Sequence, residues 1–363
     1  MPFAASSVRF FARLSPRSVG IGAAVITVLV WAAFIVIARA SAGRSLSPLD
    51  LALARICGAG LVLLPLGAWL VARRAGAGPG PSPSSFFGLS PLSLRLTASA
   101  GAVGGLAYAL LAYSGFSFAP AAHASVLLPG SLPLWTSLLA ALLLGDRITP
   151  ARALGLALIV AGDLLVGGSS LLHALEGGEV WKGDLLFIGA AFCWSCYSVL
   201  ARRHALDAVR ATVAITVFAF FTYVPVYFLL VLGGWLHSRI GTAPVGELLF
   251  QMLFQGVGSV VISGITFTKM IQHFGPVRST MITALVPGLS AFGAVLFLGE
   301  PLQWNLLAGL LLVTAGILFG VQKARALAPQ ATGIPNLPSS PNLPNLHEAT
   351  PLPALRTGGS RHV

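Results

Sequence analysis

Long apolar runs, with no alternating or amphipathic pattern between them, dominate this chain. Ten approach the ~20 residues that cross ~30 Å of hydrocarbon. They lie at 20–39, 48–71, 97–117, 121–144, 151–169, 183–202, 211–235, 248–270, 275–298 and 303–321. Each is expected to be a helix, because an open strand leaves backbone polar groups unsatisfied in lipid. Two stretches break the pattern. Residues 73–96 (RRAGAGPGPSPSSFFGLSPLSLRL) read as a Pro/Gly/Ser-rich loop, and the tail from about 324 repeats PNLP at 335–338 and 341–344. That tail has too little bulk for a core and is expected to be disordered. The first 18 residues are rich in Arg and Ser and contain no acid. They read either as an organelle transit peptide or as a cytoplasmic flank, and the flank is preferred.

Composition supports this reading. The 363 residues are 56% hydrophobic and 9% charged, with a mean hydropathy of +0.87. An ordinary soluble domain carries about a quarter charged residues. A soluble enzyme or nucleic-acid-binding domain is therefore excluded, despite the net charge of +12. The basic residues instead orient the chain. With the N-terminus inside, 15 of the 22 Lys and Arg fall in inner loops and flanks and 4 in outer ones. Both termini are expected on the cytoplasmic side of a bacterial inner (plasma) membrane. Three cysteines give no disulfide framework, and no Walker loop is present. No cofactor and no metal site are expected.

The two halves of the chain match at fixed offsets. WAAFIVIAR at 31–39 overlies WSCYSVLAR at 194–202, aligning Trp31 with Trp194 and Arg39 with Arg202. Pro65 corresponds to Pro225, and FAP at 118–120 to FGP at 274–276. At an offset of 154, Pro133 meets Pro287, Gly145 meets Gly299, Asp146 meets Glu300, Gly155 meets Gly309 and Gly162 meets Gly316. Each half holds five spans, an odd number, so the second enters from the opposite side. The expected architecture is all-α, with two inverted-topology repeats at 20–169 and 183–321 joined by a loop at 170–182.

The segments LLPGSLPLWTSLLAALLLGDRITPARALGLALIVAG and ALVPGLSAFGAVLFLGEPLQWNLLAGLLLVTAG resemble the paired EamA repeats of the drug/metabolite transporter superfamily. The mid-helix Pro, the G-[DE] at a helix end and the following G-x6-G carry the resemblance, which covers roughly 20–321. It implies a ten-helix secondary transporter with a central cavity between the repeats, and export as its direction. The 73–96 loop and the long tail depart from that compact pattern.

Polar residues within spans are costly towards lipid and tend to face the bundle interior. Gln251, Gln255, Ser259 and Ser263 recur at i+4 as one stripe, and Thr280, Thr283, Pro287 and Ser290 form a second line. Pro133 and Pro287 free the carbonyls of Pro129 and Thr283. These features line a cavity, or they serve as a kink and as hydrogen-bonded glue between helices. Trp31, Tyr108, Trp194 and Tyr197 either stack around a solute or mark the interface belts, and the depth of Trp31 and Trp194 favours the cavity. Arg55 and Asp163 fall at similar outer depth, where a buried pair would lower the cost of each. His123 is a further candidate for handling a proton. Asp146 and Glu300 end repeat-related helices at opposite mouths, as caps or as gates. Cys193 and Cys196 form a CxxC at mid-span, better suited to packing than to redox chemistry.

The leading expectation is a secondary carrier for a small organic metabolite or drug-like solute, working by alternating access. Trp31, Tyr108, Trp194, Tyr197, Gln255 and Thr283 are placed around its site. Its partners are the solute, membrane lipid and a proton as candidate coupling ion, with no nucleic acid. A membrane-embedded lipid-modifying enzyme is the alternative, but the 10 acidic residues form no DDxxD or HExxH array. A sensor or scaffold would have no evident use for an inverted repeat.

Overall fold

The computed structural model describes residues 16–42, 44–75, 86–174, 178–283, 285–301 and 303–324. The first 15 residues, the centre of the 73–96 loop and the tail beyond 324 lie outside the described residues, and so do the readings that rest on them. The described chain folds into helical segments α1 (Pro16–Ser41), α2 (Pro48–Ala75), α3 (Leu94–Phe118), α4 (Ala121–Leu144), α5 (Pro150–Ala174), α6 (Val180–Arg203), α7 (Ala208–Leu232), α8 (Val245–Phe274), α9 (Pro276–Leu298) and α10 (Trp304–Ala324). No strand occurs among the described residues. By length and composition, eight of these helices can cross a membrane, namely α1–α4 and α6–α9. The other two, α5 and α10, pack along each other. The protein is an integral, multi-pass membrane protein. Its surface fits lipid: Phe297 and Trp304 stand 74% and 85% exposed, as do many Leu and Val side chains around the bundle.

Local chemistry sets the helix boundaries. Pro16, Pro48, Pro150 and Pro276 each open a helix, where a missing N–H costs nothing. Gly145 and Gly299 end α4 and α9 with φ of 71° and 67°, a left-handed turn that disfavours a Cβ. The next amides, Asp146 N and Glu300 N, fold back on Ala140 O and Ala294 O. α5 runs to Ala174 and α6 starts at Val180, so the connection between them is shorter than the 170–182 stretch.

Several spans are not straight α-helices. α4 is interrupted at Ser131, between Pro129 and Pro133, and α9 at Thr283, four residues before Pro287. Residues Ala102–Ala107 of α3 and Met252–Ile262 of α8 are wound as π-helix, a form that concentrates at functional sites. Of the prolines paired by offset, Pro133 and Pro287 thus follow breaks, whereas Pro65 and Pro225 lie inside unbroken helices.

Backbone contact holds the bundle together. A Cβ on Gly316 would lie 2.4 Å from Gly155 O, and one on Gly162 would lie 2.7 Å from Gly309 O. These glycines form the α5–α10 seam. Gly58 of α2 meets the Met252 carbonyl of α8 as closely. At one end, buried Asp50 accepts hydrogen bonds from Tyr227 Oη, from Ser47 N at 2.9 Å and from Arg239 N at 3.1 Å. It thereby ties the start of α2 to the end of α7 and the turn beyond.

Candidate functional site

Four aromatic residues expected in a cavity do meet. Trp194 of α6 sits at the centre, with ring centroids 5.6 Å from Trp31, 5.0 Å from Tyr108 and 5.3 Å from Tyr197. Phe267 of α8 completes the group, 4.9 Å from Trp31 and 5.5 Å from Trp194. Two hydroxyls orient the rings: Trp31 Nε1 donates to Ser263 Oγ at 3.3 Å, and the Tyr197 and Thr268 hydroxyls share a 2.7 Å bond. By contrast, Trp235 and Trp304 lie exposed at or beyond helix ends, where interface tryptophans belong.

A cleft runs beside this cluster, lined by Arg55 of α2, Gly104 and Gly105 of α3, Trp194 and Tyr197 of α6, Thr216 of α7 and Ser259 of α8, among others. The glycines let helices close in: a Cβ on Gly104 would lie 2.8 Å from the Tyr197 ring. The cleft is narrow, with about 30 Å3 open to water-sized groups.

The polar stripe of α8 also faces inward. Gln251, Gln255, Ser259 and Ser263 are all buried. Gln251 Nε2 donates to Ser41 Oγ at 2.6 Å, and Ser259 Oγ accepts from Arg55 Nη1 at 2.9 Å. Among the described residues neither Oε1 nor Nε2 of Gln255 has a hydrogen-bond partner. The α9 line behaves differently. Thr280, Thr283 and Ser290 donate to carbonyls of their own helix, Thr283 Oγ1 to Thr280 O at 2.6 Å. The Thr283 carbonyl is not left free by Pro287, because Val286 N donates to it at 2.9 Å. The chain tightens into a turn there and supplies another donor. Thr283 is buried at this break and is not among the residues lining the cleft.

Two ion pairs join helix ends of the bundle. Arg39, at the end of α1, lies 3.4 Å from Glu300, just after α9. Glu300 also caps α4, accepting from Ala121 N at 3.1 Å and Ala122 N at 2.9 Å. Arg202, at the end of α6, bonds Asp146, just after α4, at 2.7 Å. The sequence aligned Arg39 with Arg202 and Asp146 with Glu300. It did not reveal that each Arg reaches across to the acid of the other half.

The expected Arg55–Asp163 pair does not form. Arg55 bonds Ser259 and sits over the Phe34 and Tyr108 rings, 5.6 and 5.8 Å from their centroids. Asp163 lies on α5, which packs along α10, away from the cleft. It lines a second cavity of about 190 Å3 with Trp135, Trp181 and Asp184, and its Oδ1 has no hydrogen-bond partner. His123 Nδ1 lies 2.9 Å from Asp184 Oδ1. Asp184 was missed from sequence, although an acid inside an apolar run was the available signal. Cys57, Cys193 and Cys196 are free thiols.

The chain is similar to several known proteins. A curated protein of Bacillus subtilis (strain 168), named an uncharacterized transporter, YyaM, is 24% identical over 60% of this chain and 70% of its own length. A second from the same strain, the uncharacterized transporter YvbV, is 26% identical over 53% of this chain and 60% of its own. A probable amino-acid metabolite efflux pump of Escherichia coli (strain K12) is 27% identical over 57% of this chain and 71% of its own. A solved crystal structure superposes with a TM-score of 0.54 at 25% identity, over 87% of this chain and all of that one. The description of the EamA-like transporter family matches twice, at residues 18–168 and 181–321, and these two stretches contain both the aromatic cluster and the crossed ion pairs. The chain belongs to the EamA-like transporter family.

Proposed function

We propose that this protein is a secondary carrier that exports a small organic metabolite, an amino acid or a related compound, by alternating access. Ten spans form two inverted five-helix repeats in a bacterial inner membrane, with both termini cytoplasmic. The crossed charge pairs carry this reading. Arg39–Glu300 closes one mouth and Arg202–Asp146 the other, each tying the first helix of one repeat to the fourth-helix end of its counterpart. Releasing one pair while keeping the other would open a single mouth, which is what alternating access requires. The breaks near Pro133 and Pro287 provide the bending points, with Asp146 and Glu300 as gates. The solute binds among Trp31, Tyr108, Trp194, Tyr197 and Gln255, and Thr283 supports the α9 break. His123 and Asp163 are the groups proposed to handle a coupling proton. The family and the names of the relatives favour a transporter over an enzyme.

The test is untargeted metabolite analysis of medium and cells, comparing wild type with Trp194→Ala at matched membrane abundance. A solute enriched outside only with wild type is the expected result, and equal profiles in several growth media would overturn the carrier reading. The gates have a test of their own. Asp146→Arg places like charges at one mouth and is expected to reduce release about fivefold, the equivalent of about 1 kcal/mol. Adding Arg202→Asp should restore it. Failure of the swapped pair to recover release would rule out gating by this contact.

A further inference from the structure

The cleft is one-sided in its chemistry. Arg55 is buried inside the bundle, and among the described residues no carboxylate pairs with it. Its guanidinium donates to the neutral Ser259 hydroxyl at 2.9 Å, and the neutral Tyr113 phenol is a second partner within its reach. The phenols of Tyr108 and Tyr113 lie close enough to feel its charge. The Phe34 and Tyr108 rings offset part of the cost of burying it. A guanidinium carries five N–H donors in a planar fork suited to a carboxylate. Two more groups along the same cleft lack partners: Trp194 Nε1, which can only donate, and the Thr216 hydroxyl. Among the described residues no acid lines the cleft. A buried charge without a counter-ion is costly, so its presence here points to a task beyond the protein's own contacts.

We infer that Arg55 is the receptor for an anionic group on the solute, a carboxylate held against Arg55 and Trp194 with its organic body among the aromatic rings. This rests on the carrier reading above and narrows it, since a solute whose only charge is positive would meet Arg55 as a like charge. The aromatic walls leave the body of the solute loosely specified, while the anion is required.

Binding to the purified full-length protein tests this with three flat probes of nearly equal shape: phenylacetate, phenylacetamide and phenethylammonium. Wild type is expected to bind phenylacetate about tenfold or more tightly than the amide, as a charge-assisted bond in a dry site implies. Phenethylammonium should bind least. Arg55→Gln is expected to erase the preference for carboxylate over amide, and Arg55→Lys to keep part of it. Thermal unfolding of both variants controls for folding, and Arg55→Gln should unfold no earlier than wild type because it removes an uncompensated charge. Equal binding of phenylacetate and phenylacetamide, no binding of phenylacetate, or an unchanged preference in Arg55→Gln would each overturn the assignment. In those cases, metabolite release that still depends on Trp194 would leave the carrier reading standing, and its absence would remove that reading too.

Discussion

Gly316→Leu is expected to remove most of the folded protein from the membrane. A Cβ at this position would lie 2.4 Å from Gly155 O and 3.0 Å from Ile159 N, atoms of a facing helix backbone that no rotamer change can move. The helices would have to separate along the seam, losing the Gly162–Gly309 contact as well. Overpacking a tight core costs about 1–3 kcal/mol and sometimes more, and here a longer side chain follows the Cβ. Detergent extraction followed by size-exclusion chromatography would show the loss as a missing monodisperse peak. Gly288→Ala is the control, because nothing lies within 4 Å of a Cβ there. It should leave the peak intact and add a little helix stability. A normal peak for Gly316→Leu would mean that α5 and α10 are not pressed together.

Gln255→Leu is expected to separate stability from transport. The side chain is fully buried, and neither end of its amide meets a partner. Buried amides are nearly always satisfied, so an orphan of this kind points to a task beyond folding. Leucine has a similar volume and no polar atoms. Removing the unsatisfied amide should raise thermal stability by about 1 kcal/mol, while release of the exported solute falls about tenfold. Both readings come from one preparation, by thermal unfolding and by metabolite analysis. Unchanged release would take Gln255 out of the site, and a drop in stability would make it a packing residue.

Much of this was legible in the sequence because the membrane allows few solutions. Apolar length marked the helices, and the offset of 154 located Gly145 and Gly299, which both adopt the left-handed turn. Trp31 and Trp194 were paired by offset and prove to be in contact. Neighbourhood was what the pattern could not supply. Arg55 and Asp163 share a depth, but depth along a helix does not say which helix lies beside it, and α5 packs elsewhere. The His123–Asp184 contact joins residues 61 apart with no periodic signal between them. The polar lines of α8 and α9 looked alike in sequence, yet Gln251 and Ser259 reach α1 and α2 while Thr280 and Ser290 turn back on earlier carbonyls of α9.

The π-wound stretches have a mechanical consequence. A helix bonded i to i+5 stores a residue that an α-helix would spread along its length. If Met252–Ile262 rewound as α-helix, everything beyond it would rotate by about 100° and advance by about 1.5 Å per residue redistributed. Ser263, Phe267 and Thr268 lie just past that stretch and contact Trp31, Trp194 and Tyr197. A stroke of this kind would carry the α8 partners away from all three rings at once, as i to i+5 hydrogen bonds exchange for i to i+4 ones. Ala102–Ala107 holds a second such reserve next to Tyr108.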